Sequence, residues 1–259
     1  MSVSTMPEKG NPLLKYMRQD KLPHFFCPGC GCGQVVSAFL RAVEALKLDL
    51  GTMVGIGGVG CTARIPVYLH MDCLHGVHGR TLAWATGIKL HKPDTKVVVF
   101  AGDGDAMSIG GNHFIHAARR NLDVTFIVVN NFNFAMTGGQ VAPMAVTSGA
   151  TYVARTLTSN PAQMTSYIKT ALDHKGFSVV EILSQCPTHF GRYALGSGSP
   201  KNLVTWIKDH TVPLTAADKM KAEELEGKYR TGEFIKTERP VFMGSTVCSA
   251  PCAEKEGKA

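Results

Sequence analysis

No run of about 18 apolar residues interrupts this 259-residue chain, so the sequence offers no membrane-spanning helix. The opening stretch, MSVSTMPEKGNPLLKYMRQDKLPHFF, lacks the basic n-region followed by an apolar core that a secretory signal requires. The expectation is a cytoplasmic protein. Basic residues interleaved with aromatics are also missing. The net charge is +7, but Lys and Arg are scattered, and the densest basic stretch, KMKAEELEGKYR (219–230), carries acids as well. That suits a solvated helical face and argues against nucleic acid, while leaving room for an acidic partner such as a small electron carrier. There is no internal repeat and no low-complexity segment. What is plentiful is cysteine. Eight of them in a reducing compartment point to metal binding or catalysis rather than to a disulfide framework.

With 44 % hydrophobic residues, the chain can bury one large core, with at most a short appendage. Residues 34–48, 78–91, 110–121 and 160–174 read as helices, the last with Asn160 as N-cap and Pro161 at its first position. TMVGIG (52–57), KVVVFAG (96–102), DVTFIVVNN (123–131) and FSVVEILS (177–184) are short apolar runs bounded by turn residues and read as strands. Strands alternate with helices and are apolar throughout, which predicts an α/β fold: a mostly parallel sheet with helices on both faces. The expected organisation is an N-terminal arm (1–26), an α/β domain (27–200) and a C-terminal extension and tail (201–259) with helices over 201–210 and 216–230.

Ligands bind such sheets beyond the carboxyl ends of the strands. Four strand ends carry chemistry: GIGGVGC, AGDGD, NNFNFAMTGGQ and SQCPT. GIGGVG (55–60) contains the Gly-x-Gly-x-x-Gly spacing, yet Cys61 and TARIP follow it, and Pro66 discourages the helix that a dinucleotide site needs. These glycines are better read as positions where backbone approaches a ligand closely. Gly102-Asp103-Gly104-Asp105 and Asn130-Asn131 each follow a strand. Asp103 and Asn131 offer hard oxygen donors suited to Mg²⁺, with phosphate oxygens completing the shell. The helix from about Gly110 and the glycine-rich turns offer N–H groups to an anionic diphosphate. CPGC (27–30) is a Cys-x₂-Cys pair, fit for zinc, an iron–sulfur cluster or dithiol chemistry. Cys248 and Cys252 are spaced to supply a second pair. Cys73 reads as a small packed hydrophobe.

Gly102-Asp103-Gly104 with Asn130-Asn131 matches the thiamine-diphosphate signature. GDGDAMSIGGNHFIHAARRN…VVNNFNFAMTGGQ, with HGR at 78–80, resembles the β subunit of the 2-oxoacid:ferredoxin oxidoreductases, most closely the 2-oxoglutarate type. The resemblance spans about Phe26 to Arg192. It implies the thiamine-diphosphate-binding fold, with Asp103 and Asn131 holding Mg²⁺ through side chains and Asn133 through its carbonyl. It further implies cofactor contacts at Gly60, Cys61, Thr62, Gly104, Asp105, Ala135, Met136 and Thr137. His78, in the His-Gly-Arg segment, is the candidate catalytic side chain, with a structural hydrogen bond as its other reading. The resemblance also implies a 4Fe–4S cluster held by Cys27, Cys30, Cys61 and Cys186. Three positions depart from the family: Ala135 replaces a usual Gly, NFNF replaces a sequence with Tyr, and Cys32 stands where His is usual, a spare thiol beside the cluster.

The activity so implied is coenzyme A-dependent oxidative decarboxylation of a 2-oxoacid to acyl-CoA and CO₂, with electrons leaving through the cluster to ferredoxin, or the reverse carboxylation. GGNHFIHAARRN and MTGGQ lean towards 2-oxoglutarate. No Glu in this chain fits the acid that activates the aminopyrimidine. The resemblance puts that Glu on a partner α subunit, with small additional subunits as further partners, and the chain alone is expected to be inactive. Two rivals remain at this stage: a subunit of a non-redox thiamine-diphosphate decarboxylase or synthase, and a structural protein with a Cys₄ zinc site.

Overall fold

The computed structural model describes residues 11–132 and 141–242. Its centre is an eight-stranded sheet of order β2-β1-β3-β4-β6-β5-β8-β7. The strands are β1 (Met53–Gly57), β2 (Asp72–His75), β3 (Lys96–Gly102), β4 (Val124–Asn130), β5 (Tyr152–Leu157), β6 (Phe177–Leu183), β7 (Thr211–Pro213) and β8 (Tyr229–Lys236). Strands β1 to β6 run parallel. The helices are α1 (Cys32–Ala45), α2 (Thr81–His91), α3 (Gly111–Arg119), α4 (Val141–Thr147), α5 (Pro161–Asp173), α6 (Pro200–Asp209), α7 (Leu214–Ala217) and α8 (Ala222–Leu225).

The uniformly apolar strands follow from burial on both faces. Along β3, Val98 and Phe100 join an apolar layer with Phe39 of α1 and Ile168 of α5. Val97, Val99 and Ala101 join the opposite layer with Leu82 of α2 and Phe114 of α3. Successive side chains of a strand point to opposite faces, so both sets must be apolar. Each large side chain buried in these layers contributes about 1.5–3 kcal/mol relative to exposure. Helix α5 begins as its sequence predicts: the Asn160 side chain accepts from Gln163 N–H, and Pro161 opens the helix.

Three expectations are corrected. Residues 216–230 are not one helix. They form the single turns α7 and α8 and then enter β8. β8 pairs antiparallel with β5, because the backbone N–H and C=O groups along the outer side of β5 would otherwise lack partners. The polar, charged pattern of this segment reads as a solvated helix only when that open edge is invisible. Residues 62–68, downstream of GIGGVG, do coil, as a 3₁₀ helix, Thr62–Tyr68, with Pro66 inside it. Cys73 does not pack as a core residue. It is exposed because β2 is the outermost strand. The arm, where described, lies against the body: Leu13 and Phe26 are buried, and Met17 bridges to Leu69.

Candidate active site

The strand ends singled out from the sequence belong to β1, β3, β4 and β6, which are consecutive in the sheet. Being parallel, these strands deliver all four loops to one edge. Gly102 of β3 is in register with Val129 of β4, so Asp103 stands level with Asn130, one residue before Asn131. The sequence separates the two oxygen donors widely, and the register makes them neighbours.

Beside Asp103, residues Gly104–Ser108 form a π-helical turn, a local winding that recurs at functional sites. It buries Asp105, whose side chain has no solvent exposure. One carboxylate oxygen, Oδ1, accepts from Gly79 N–H at 2.7 Å and Val59 N–H at 3.3 Å, and lies 2.5 Å from His78 Nδ1. Asp105 therefore ties the loop after β1, the loop before α2 and the end of β3 into one unit. Gly58 is obligatory here, since a Cβ at that position would lie 2.2 Å from Asp105 Oδ2. That Oδ2 is buried without a hydrogen-bond partner among the described residues, a costly state unless a bound group supplies a donor. His78 makes the structural hydrogen bond expected under one of its two readings, Nδ1 meeting the buried carboxylate, and its side chain is 36 % exposed. Gly60, with φ +116, and the exposed Cys61 flank the same loop. Gly104 is buried in the π turn. Thr62 is buried as well, its hydroxyl 3.9 Å from the thiol of Cys32.

Next to Asn131, Asn130 points inward. Its amide donates to Glu181 Oε1 of β6 at 2.8 Å, and its carbonyl oxygen accepts from Phe132 N–H at 3.2 Å. Phe132 has φ +62, a strained conformation for a bulky residue. It is held there by ring contacts with Phe190, Trp206 and Tyr229 at 5.1–5.5 Å. Strain of this kind persists where the surroundings over-determine it, commonly at binding sites. Glu181 is fully buried and paired with Arg155 of β5, Oε2 to Nε 2.7 Å. Sequence reasoning missed both residues. A single Glu inside FSVVEILS and a single Arg inside TYVARTL were the available signals, because an isolated charge in a buried strand needs a partner.

The cysteine-bearing segments meet at this edge. Gly31 N–H donates to the carbonyl of Gln185, beside Cys186, at 3.4 Å. At Gly29 a Cβ would lie 2.2 Å from Pro200, which closes the loop that follows Cys186. The Cys61 thiol is pushed up, first by burial and then by the charges of Cys30, Cys186 and Cys27. Cys61 thus lies close enough to the other three thiols for their charges to act on it. The Cys30 thiol is drawn down to about 6 by a hydrogen bond from Cys32, and that bond, with burial, pushes Cys32 well above its ordinary value. Cys32 is buried in the apolar layer under α1, whereas Cys27, Cys30 and Cys186 are half-buried. In cluster-free protein, iodoacetamide labelling of Cys30 should rise through about pH 6 and level off by neutrality, because the thiolate is the reactive form. Cys61 should need more alkaline buffer and Cys32 should stay unlabelled. Peptide mapping across pH checks this, and a Cys30 rate still climbing between pH 8 and 9 in that series would contradict it.

A closed four-thiolate zinc site needs sulfurs about 3.8 Å apart, given tetrahedral bonds of 2.3 Å. Among the described residues no three His, Cys, Asp or Glu side chains gather tightly enough around one ion. Asn133, Ala135, Met136 and Thr137 lie outside the described residues, as do Cys248 and Cys252.

The family described as "Thiamine pyrophosphate enzyme, C-terminal TPP binding domain" matches residues 55–151, the stretch from β1 to the threshold of β5 that contains the loops of Gly60, Asp103 and Asn131. The 2-oxoglutarate synthase subunit KorB of Methanocaldococcus jannaschii is 46 % identical over 257 residues, covering 90 % of this chain and 95 % of that protein. The chain belongs to the β-subunit family of the 2-oxoacid:ferredoxin oxidoreductases. KorB of Methanothermobacter thermautotrophicus is 41 % identical, covering 98 % of this chain and 96 % of that protein. The solved 2-oxoglutarate:ferredoxin oxidoreductase of Magnetococcus marinus, with 2-oxoglutarate, coenzyme A and succinyl-CoA bound, superposes with a TM-score of 0.76 at 30 % identity, covering 90 % of this chain and 88 % of that one. As a β subunit of this family the chain is part of a multi-subunit oxidoreductase, with the thiamine-diphosphate-binding α/β fold expected of it. No helix among the described residues is long and apolar enough to cross a membrane.

Proposed function

We propose that this β subunit carries the reaction centre of a cytoplasmic 2-oxoglutarate:ferredoxin oxidoreductase, forming succinyl-CoA and CO₂ from 2-oxoglutarate and coenzyme A, or running in reverse. The observation that supports the proposal is the joining of three cysteine-bearing segments, Gly31 N–H to the Gln185 carbonyl at 3.4 Å and Cys32 Sγ to Thr62 Oγ1 at 3.9 Å, beside the strand ends that lead into Asp103 and Asn131. The donor chemistry fits two groups side by side. Asp103 and Asn131, with Asn133, would hold Mg²⁺ and through it a diphosphate. The four thiols would hold a 4Fe–4S cluster, which takes four cysteine thiolates. When bound, thiamine diphosphate supplies the electron sink for decarboxylation, and the cluster takes the electrons one at a time.

The remaining chemistry belongs to the chain's own side chains. Asp105 holds His78 by its Nδ1, leaving Nε2 as the atom able to face substrate. Oδ2 of Asp105, without a hydrogen-bond partner among the described residues, offers an acceptor to a bound group. The strained Phe132 fixes the direction in which the chain leaves Asn131. The acid that activates the aminopyrimidine is assigned to the partner α subunit, so the isolated chain is inactive. Ferredoxin is the electron acceptor, and small further subunits complete the assembly.

The test is to purify the complex anaerobically and assay acyl-CoA formation over a panel of 2-oxoacids. Succinyl-CoA formed from 2-oxoglutarate, with broad absorption near 400 nm and stoichiometric iron and sulfide, is the expected result. Zinc without iron would overturn the cluster, and selective turnover of another 2-oxoacid would overturn the substrate. Cys186→Ser should destroy the cluster absorption while sparing Mg²⁺-diphosphate binding. An intact iron–sulfur spectrum in that variant would remove Cys186 from the ligand set.

A further inference from the structure

Glu181 is a buried carboxylate that the proposed chemistry does not use. It sits in the middle of β6 with no solvent exposure and is already committed on both oxygens. Oε1 accepts from the amide of Asn130 at 2.8 Å. Oε2 accepts from the backbone N–H of Ala142 at 3.1 Å and from Arg155 Nε at 2.7 Å. It is therefore neither a proton donor to substrate nor a stand-in for the activating acid.

What it touches lies on either side of the loop that follows β4. Asn130 is the last residue of β4, immediately before Asn131. Ala142 lies in the first turn of α4. One side chain thus grips both the departure of the chain from the sheet and its return into a helix. The grip is extended by Asn130, whose other amide atom accepts from the N–H of Phe132 and so brackets Asn131 between two fixed neighbours. Arg155 supplies the opposite charge beside the carboxylate, Nε to Oε2 at 2.7 Å, and is itself anchored to the carbonyl of Arg230 at 2.9 Å. A fully buried ion pair is poor evidence of a stabilising purpose, whereas orienting a ligand's neighbour is a role such groups fill at metal sites.

We infer that Glu181 is a positioning residue for the Mg²⁺-diphosphate site: by clamping Asn130 and the start of α4 it aims Asn131 at the metal. The inference rests on the reading of Asn131 as a Mg²⁺ donor. Thiamine diphosphate binding to cofactor-depleted αβ complex, followed by tryptophan fluorescence at increasing Mg²⁺, tests it, with cluster absorption as an independent readout. Glu181→Gln should raise the Mg²⁺ needed for half-saturation by about 10–100-fold, the usual consequence of losing an outer partner of a metal ligand. Cluster absorption per protomer should be unchanged, and excess Mg²⁺ should restore binding, which a general loss of structure would not allow.

Two further variants keep the inference testable if Glu181→Gln does not assemble. Asn130→Ala cuts one arm of the clamp and leaves the ion pair intact. Glu181→Leu with Arg155→Met removes the clamp and leaves no charge buried. Both should shift the Mg²⁺ requirement in the same direction. Wild-type Mg²⁺ and diphosphate affinity in whichever of these assembles would overturn the inference. Absence of thiamine diphosphate binding in the wild-type complex would instead overturn the proposed function itself.

Discussion

Asp103→Ala complex should lose thiamine diphosphate binding and 2-oxoacid turnover by more than the about 100-fold that outer partners of a metal ligand command, while its cluster absorption stays intact. The reasoning starts from charge. Asp103 is the carboxylate of the proposed donor set, and Asn131 and the Asn133 carbonyl are neutral. A hard dication between a neutral donor set and a polyanionic diphosphate loses its anionic protein ligand when Asp103 is removed. Asp105 is not placed to take over the position, because its Oδ1 is held by two backbone N–H groups and His78 and its Oδ2 is turned towards Gly58. Asp103→Asn keeps the shape and should fall between wild type and Asp103→Ala. The thiols come from other segments, just ahead of α1 and on the loops after β1 and β6, so an iron–sulfur spectrum unchanged in both variants is part of the expectation. Near-normal turnover in Asp103→Ala would sink the metal assignment.

The second large effect is on stability. Arg155→Met should destabilise the subunit by about 3–5 kcal/mol, the usual consequence of leaving one charge of a buried pair uncompensated. The Glu181 carboxylate would then sit at zero exposure with only neutral donors. For a domain of this size that corresponds to a fall of about 10 °C in the melting midpoint, read by differential scanning of the complex. Adding Glu181→Leu to Arg155→Met should recover most of the loss, since an apolar pair of similar volume replaces a buried ion pair at little net penalty. That double variant would then be stable yet deficient in Mg²⁺ binding, which separates the fold's need for the pair from the site's. A melting midpoint in Arg155→Met equal to wild type would overturn this expectation.

Much of the scaffold was legible before any coordinates. The strands at 96–102, 124–130 and 177–183 and the helices at α1, α2, α3 and α5 are long, apolar and bounded by turn residues or caps, so local pattern and tertiary demand agree. β2, β5, β7 and β8 were not legible for a common reason: each owes its state to a neighbour. β2 is four residues of mixed polarity at the sheet's edge. β8 carries TGEF and exposed charges, and becomes a strand because β5 offers it a row of backbone groups.

The site divides in the same way. Asp103, Asn131, the Cys-x₂-Cys pair and the strand-end cysteines can be picked out by sequence because chemistry restricts which residue types sit after which strand. The structure then places Asp103 and Asn131 just beyond the ends of adjacent strands, one residue apart in level. The Asp105 hub, the αL conformation of Phe132 and the Glu181–Arg155 clamp could not be read in advance. Their partners come from segments 26 or more residues away, and nothing in spacing or periodicity announces them.

The amino-acid sequence by itself determined the fold class, the family and the inventory of donors, since apolar periodicity and short motifs are local properties. Only the tertiary structure decided how those donors are aimed. A ligand's direction depends on what holds its backbone, and here that is set by a carboxylate in the turn after β3 and another within β6, each buried where only distant parts of the chain can satisfy it.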